Sequence, residues 1–455
     1  MTCIFVYCIQ DTVAWQALRP RERNVPNQYH ELPEGIHTVA MGIGDANGIM
    51  RGKRIPASNW ARICDSGNAM SVATFAIDMT CDVWDTPYAN FGNGYPDMHV
   101  FPDSSPIEMP WEPGVAVCFG RAEGMDHAPV PIDPRTSLVR QVRRAADMGY
   151  TVNVGTELEF YLLDPETGLP RDSGIGVYGL DRAAELEHVL GPIRRQINEC
   201  GVPIEQSNPE YAAGQVEVNI RYGEALKAAD RVVMFRSFVR QLAAAHGYRA
   251  TFMAKPFLEE SGNGFHTHYS LWKDGANAFC NGGKLSDLGR AFVGGLQRRM
   301  AEMAICGSPT PNGFRRRQPY SFCPINNTWG GDNRTVGLRV IEGSRGATRV
   351  EKRDAGADAN PYYLLAAEIA AGLDGIEHGI EPSARTEGNG YEAEDAEPLP
   401  ADAPAAVALA RGSDWLKGVM GAECHEIYLQ QAEREIEFLA NQVTPVETLR
   451  YLANF

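Results

Sequence analysis

The sequence predicts a mixed α+β protein built from more than one domain, and three observations lead to that class. At 455 residues the chain exceeds what a single hydrophobic core ordinarily organises. From about Gly35 to Asp103 it reads as short strands broken by turns: "HTVAMGIGDANGIMRGKRI", "AMSVATFAIDM" and "DMHVFPD". Beyond that, strand-like runs alternate with amphipathic helical ones, and the Pro-rich stretch "PDSSPIEMPWEPG" between the two regions reads as a linker. The expected organisation is an arm over 1–35, rich in Arg, Pro, Asn and Gln, a small sheet-rich domain over 36–105, and a large domain over 106–455.

The helices announce themselves locally. In "DPRTSLVRQVRRAADMGY", Asp133 is placed to cap a helix, Pro134 to occupy its first position, and Leu138, Val142 and Ala145 to form its apolar stripe. Further helices are expected over 181–200, 223–247, 286–305, 360–376 and 423–441. The tail "VTPVETLRYLANF" opens with a capping box from Thr444 to Glu447, which predicts a terminal helix. There is no internal repeat.

Composition excludes several classes of function. A net charge of −16 argues against a nucleic-acid coat or an anionic membrane surface. No apolar run reaches the about 18 residues that a membrane span needs. The opening "MTCIFVYCIQ" lacks a basic leader and a small-residue cleavage site, so it does not read as a signal peptide. Ten cysteines are scattered without a C-x-x-C pair, which suits free thiols in a reducing cytoplasm. In that setting the triplets Asn326-Asn327-Thr328 and Asn333-Arg334-Thr335 are chance matches to a glycosylation signal. Gly42, Gly44 and Gly48 have the wrong spacing for a dinucleotide fingerprint.

The informative pattern is polar. "NVGTELEFYLL" (153–163) reads as a buried strand, yet Glu157 and Glu159 lie two residues apart and therefore share a face. "GQVEVNI" repeats the arrangement with Glu217 and Asn219, and "GFHTHYSLW" with His266 and His268. "VGLRVIEG" sets Arg339 among apolar neighbours, and "TRVEKR" places Glu351 and Arg353 at the same interval. Any one of these could be the solvated face of an antiparallel strand. Bulky residues on both faces, with Glu, His and Arg as the polar partners, favour an interior site instead. Clustered carboxylates repel and are costly to bury, which implies a cation. Carboxylates with one imidazole suit Mg²⁺ or Mn²⁺ better than zinc, and the arginines imply an anion such as phosphate or carboxylate. Divalent metal plus arginines is the equipment of phosphoryl transfer.

Five motifs extend this pattern: "GTELEFYLL", "EQSNPEYAAGQVEVN", "KPF…GNGFHTHYSLW", "NGFRRRQPYSFCP…DNRTVGLRV" and "TRVEKRDAGADANPYYLLAAEIAAGLDGI". In order and approximate spacing they resemble the glutamine synthetase superfamily from about residue 36 onward. The resemblance implies a small β-grasp-like N-terminal domain and a catalytic domain around a curved antiparallel half-barrel sheet flanked by helices. It also implies a cytoplasmic homo-oligomer, commonly a dodecamer, with active sites between subunits, and two or three divalent cations per site with ATP as cosubstrate.

Matched motif by motif, the resemblance makes Glu159, Glu210 and Glu217 ligands of one ion, and Glu157, His266 and Glu351 ligands of the second. Arg316 and Arg353 match arginines that handle the substrate carboxylate and the transferring phosphoryl group, and Gly262 matches the glutamate-binding loop. Arg334 and Arg339 match residues that hold phosphates and stabilise transfer, while Glu205, His268 and Ser270 match nucleotide contacts. The implied reaction forms a γ-glutamyl phosphate from L-glutamate and ATP, which an amine then converts to an amide.

The chain departs from the ammonia-using pattern at the amine. Phe322 stands where those members carry a glutamate that binds and deprotonates ammonium, and their Asp-Gly-Ser-Ser segment is missing; the nearest acids are Asp78 or Asp82. Ser261 replaces a loop asparagine and Gly346 a lysine. A phenylalanine lines a pocket for a carbon-bearing amine better than it holds a small cation. These departures match γ-glutamyl amine ligases that use polyamines, monoamines or aromatic amines. Two alternatives stand beside that reading: a glutamine synthetase using ammonia, and a catalytically inactive structural relative. "RRR" at 315–317 is expected to turn Arg316 inward and leave Arg315 and Arg317 solvated. Tyr391 receives no regulatory role.

Overall fold

A computed structural model describes residues 29–171 and 176–453. Of the expected arm over 1–35, residues 1–28 lie outside the described residues. The first sheet comprises β1 (Thr38–Gly44), β2 (Met50–Pro56), β3 (Asn68–Ser71), β4 (Asp97–Pro102), β5 (Ile107–Glu108) and β6 (Val115–Glu123). Its order is β2-β1-β6-β4-β3, with β5 on β6, and only β1 and β6 run parallel. The β1–β2 hairpin is closed by buried Asp45. Its carboxylate accepts the backbone N–H of Asn47 and Ile49 and the Nε–H of Arg51, each at 2.8 Å. Met41, Ile55, Trp60, Phe75, Met98 and Val100 pack a core against this sheet. The segment read from sequence as a linker supplies β5, and β6, beyond residue 105, is the sheet's central strand.

The second sheet holds the chemistry. It contains β7 (Thr151–Leu163), β8 (Ile204–Pro209), β9 (Gln215–Glu224), β10 (Arg249–Thr251), β11 (Phe265–Lys273) and β12 (Ala276–Asn277). After a separate hairpin of β13 (Cys280–Asn281) and β14 (Lys284–Leu285), it is completed by β15 (Trp329–Gly330), β16 (Leu338–Ile341) and β17 (Arg349–Lys352). The order is β15-β16-β17-β11-β7-β9-β8, antiparallel except for β15 beside β16, and the sheet curls into a half-barrel flanked by helices.

Alternation along β7 separates core from site. Val152, Val154, Leu158, Phe160 and Leu162 enter the main hydrophobic core, while Glu157 and Glu159 point to the other face. Against the apolar face pack the helices Ala225–Ala245 and Pro361–His378, whose Phe235 and Leu365 are fully buried. The helix Pro134–Asp147 begins as expected, with Asp133 accepting the N–H of Arg135. The terminal helix Pro445–Tyr451 likewise carries the Thr444–Glu447 capping box. The stretch expected as one helix over 181–200 divides into Leu180–Glu185 and Glu187–Glu199, because Leu186 leaves helical backbone geometry. Among the described residues no helix is long and apolar enough to cross a membrane, and eight cysteines are free.

One buried cation ties these layers together. Arg135 donates from Nε and Nη2 to the two oxygens of Asp230 at 2.9 Å, and from Nη2 to Asp103, just after β4, at 2.7 Å. Tyr362 donates its hydroxyl to Asp230 at 2.8 Å. Arg135→Ala leaves Asp230 without its cation and Asp103 with Arg121 at 3.5 Å as its remaining one, and a loss of about 3–5 kcal/mol is expected on chemical denaturation. A loss below about 1 kcal/mol, the range of exposed pairs, would contradict this role.

Candidate active site

Strand register assembles the polar residues. His266 on β11 lies opposite Glu157 on β7, and Glu217 on β9 lies opposite Glu159. On the other side of β11, His268 faces Glu351 on β17, which in turn faces Arg339 on β16. The charged pairs read separately along the sequence therefore form one row across five strands.

The distances define two overlapping groups. Glu157, His266 and Glu351 offer ligand atoms within 4.8 Å of one another, and so do Glu159, Glu217 and His266. His266 Nδ1 is 3.3 Å from Glu157 and 3.6 Å from Glu351. Glu210 lines the same cleft, where its carboxylate accepts a hydrogen bond from Asn208 at 2.9 Å, but it stands outside both groups. Gly264 N–H donates to Glu159 at 2.7 Å.

The two ends of the row differ electrostatically. Burial opposes charge on Glu157, but His268 and His266 outweigh it and hold this carboxyl well below its usual range. Burial likewise works against Glu351, yet Arg353 and the imidazoles bring it down to about 2. Arg339 donates to Glu351 at 2.9 Å, and Arg353 bonds its other oxygen. At the opposite end, burial followed by repulsion from Glu157, Glu159 and Glu210 pushes Glu217 up to about 9. Burial and Glu159 raise Glu210 to about 7. Among the described residues no basic side chain forms an ion pair with Glu159, Glu210 or Glu217. Carboxylates and one imidazole, without a thiolate, form a donor set that fits a hard divalent cation.

Two clefts meet at Glu157. One, of about 650 Å³, is lined by the acids, Gly262, Arg316, Phe322, Arg334, Arg339 and Arg353. The other, of about 260 Å³, is lined by Glu205, Tyr222, His268, Ser270, Gly346 and Arg349. The residues expected at a nucleotide thus divide: Glu205, His268 and Ser270 border the smaller cleft, Arg334 and Arg339 the larger. His268 Nε2 lies 2.9 Å from Glu157, and its Nδ1 accepts from Arg349 at 3.2 Å. Gly262 is required by close approach: a Cβ there would fall 2.6 Å from Arg316 Cγ and 2.9 Å from the Ala254 carbonyl.

Arg316 is buried as expected and donates to the Asp354 carbonyl at 3.2 Å. Arg317 corrects the sequence expectation of a solvated side chain. It is buried, because Asp354 at 3.5 Å and the Pro400 carbonyl at 3.1 Å satisfy its guanidinium. Neither Asp78 nor Asp82 lines either cleft; Asp78 caps its own turn and Asp82 pairs with Arg434.

Apart from Phe322, which was expected there, the aromatic residues at the mouth went unread in the sequence. Phe322 takes a left-handed backbone, φ +58°, and stacks on Tyr211 with ring centroids 5.9 Å apart at 24°. Tyr178, also left-handed at φ +59°, lines the same cleft. In the smaller cleft Tyr222 stacks on Trp272 at 6.5 Å and 11°. Tyr178, Tyr211, Tyr222 and Arg349 carry no pairing signal of the kind that exposed the acids; only the adjacency of Tyr211 to Glu210 pointed toward the site.

Comparison with known proteins agrees with this geometry. Residues 131–451 match the family described as glutamine synthetase, catalytic domain. The chain is 33% identical over 436 residues to the glutamate–isopropylamine ligase of a Pseudomonas species, covering 92% of this chain and 95% of that protein. It is 33% identical over 454 residues to gamma-glutamylethanolamide synthetase GlnA4 of Streptomyces coelicolor, covering 96% and 98%. It is also 31% identical over 435 residues to the glutamine synthetase of Thermococcus kodakarensis, covering 90% and 92%. The solved GmaS/ADP complex superposes with a TM-score of 0.82 at 31% identity, covering 92% of this chain and 97% of that one. The half-barrel sheet, its row of acids, histidines and arginines, and these relationships together establish that the chain belongs to the glutamine synthetase family.

Proposed function

We propose that this protein is an ATP- and Mg²⁺- or Mn²⁺-dependent ligase that joins the γ-carboxylate of L-glutamate to an amine larger than ammonia, through a γ-glutamyl phosphate. Phe322 stacked on Tyr211 carries the choice of amine: an aromatic wall gives contact to carbon and offers no carboxylate to a small ammonium ion. Relatives named for isopropylamine and ethanolamide ligation support the same branch.

In this reading Glu159 and Glu217, with Glu210 beside them in the cleft, hold one divalent cation, and Glu157, His266 and Glu351 the other. Bound there, such ions would screen the phosphate oxygens and offset charge on the transferring group. Arg334 and Arg339 face the phosphates from the larger cleft, with Arg339 fixed by Glu351 at 2.9 Å. Arg316, Arg353 and the Gly262 loop receive glutamate, so that its γ-carboxylate attacks the terminal phosphorus in line as the bond from that phosphorus to the bridging oxygen breaks and ADP leaves. Glu205, His268 and Ser270 border the cleft that takes the nucleotide. The neutral amine then attacks the acyl carbon, forming C–N as the C–O bond to phosphate breaks, and the nitrogen gives up one proton as the amide forms. We place the enzyme in the cytoplasm as a homo-oligomer of dodecamer type, in which exposed Val446, Leu449 and Leu452 on the terminal segment supply apolar surface for subunit contact.

Phosphate release that depends on glutamate and Mg²⁺ should be faster with alkyl amines than with ammonium; a wide margin for ammonium would overturn the amine assignment. Glu157→Ala is expected to abolish turnover while the variant still melts cooperatively, and normal turnover would remove Glu157 from the cation site. Phe322→Glu should move the preference toward ammonium, whereas an unchanged amine profile would show that the ring is mere packing.

The raised acids add a pH dependence. Glu217 at about 9 and Glu210 at about 7 stand above the ordinary 4.5 of a carboxyl, so between those values the folded chain holds protons that the unfolded chain releases. Their contribution to stability is present below about pH 4.5 and is lost as pH rises through 7 to 9. The metal-free melting midpoint should therefore fall from pH 6 to pH 9, with a flatter slope in Glu217→Gln, and Mn²⁺ should restore more at pH 9. An identical slope in the variant would contradict this.

A further inference from the structure

Behind the row of site residues, on the core side of the sheet, lies a second cluster of charge. Glu368, on the helix Pro361–His378, is fully buried together with Thr267, Tyr269, Lys352 and Asp354. Its Oε2 accepts the Thr267 hydroxyl at 2.7 Å and the Tyr269 hydroxyl, both from β11. Its Oε1 lies 3.0 Å from Lys352 Nζ on β17, and Lys352 also binds Asp354. Asp354 pairs with Arg317 at 3.5 Å, while its carbonyl accepts from Arg316 at 3.2 Å. Two cations thus balance two carboxylates inside the core.

The strand register shows what this cluster can govern. Thr267 lies opposite Lys352, and the neighbouring pair, His268 opposite Glu351, lies on the other face of the sheet, where His268 lines a cleft and Glu351 is buried against Arg339 and Arg353. Three residue pairs join β11 to β17, and the pairing continues past them through one backbone bond, Phe265 N–H to the Ala355 carbonyl at 2.9 Å, and the Gly264–Gly356 bridge. A slip of one residue in either strand would exchange its two faces, sending Glu351 or His266 into the core. Apolar residues on the core face would resist such a slip weakly over so short a ladder; Glu368 has specific partners on both strands at once.

We propose that Glu368 is a positioning residue: it fixes the register of β11 against β17 from behind and thereby sets the distance between His266 and Glu351. This goes beyond the assigned reaction but rests on reading His266 and Glu351 as cation ligands. The role is distinct from a contribution to stability, and two variants separate the two. Glu368→Gln keeps the size of the side chain but removes the charge that holds Lys352. Glu368→Gln combined with Lys352→Met removes one charge of each sign, so the buried cluster is balanced again.

The experiment titrates Mn²⁺ alone, without ATP or glutamate, into parent and variants by calorimetry, alongside their melting midpoints. The parent is expected to bind, and Glu368→Gln to bind about tenfold more weakly or worse, as loss of a group behind a metal ligand does elsewhere. The double variant should recover the melting midpoint and remain weak for Mn²⁺, because stability returns without the register lock. Parent-like affinity in either folded variant would overturn the proposal. A parent that binds no Mn²⁺ would overturn both the proposal and the cation reading beneath it.

Discussion

Glu157 and Glu159 stand two residues apart on one face of β7, and Glu217 faces Glu159 from the neighbouring strand, so backbone geometry alone forces carboxylates together. Two residues of extended chain span only about 6.6 Å. Burial removes the water that would screen the repulsion. At one end His266, His268, Arg339 and Arg353 compensate; at the other, Glu217 and Glu210 are left with raised proton affinity. The site is a stored demand for positive charge, and the spacing of the two acids sets where that charge would sit.

Holding such a site requires a rigid frame behind it. The alternation of β7 sends its apolar side chains into the largest core while its acids face the cleft, so the same strand serves packing and chemistry. The buried ion clusters follow one design. Arg135 joins the first sheet to two helices of the second layer, and Lys352 with Glu368 joins two site-bearing strands to a third helix. In each, charge is buried only where its partners come from different elements, which penalises any other arrangement of those elements.

The legible parts of the sequence were those with a local rule. Asp133 before Pro134 and the Thr444–Glu447 box announced helix starts that the structure contains. The i, i+2 pairing of Glu157 with Glu159 and of His266 with His268 exposed the site face, because strand alternation needs only a few residues to show. Which acids share a neighbourhood depends on register between strands distant in the chain, and that came from the family resemblance. Arg317 was misread as solvated since its partners, Asp354 and the Pro400 carbonyl, lie far along the chain. Tyr178 and Tyr211 were missed for the opposite reason: single aromatics in loops have no period to detect. The central place of β6 in the first sheet was hidden by the prolines that precede it.

Two physical choices give the site its direction. Carboxylates and arginines suit phosphoryl transfer to a carboxylate, and the aromatic face of Phe322 on Tyr211 suits an amine with carbon to bury. Under the proposed function, phosphoryl transfer depends on the acids being satisfied by cations. Anomalous scattering from crystals grown with Mn²⁺ tests that dependence directly. Two peaks are predicted, one among Glu157, His266 and Glu351 and one beside Glu159 and Glu217. A cleft without a peak, or Mn²⁺ bound only away from β7, would contradict the account.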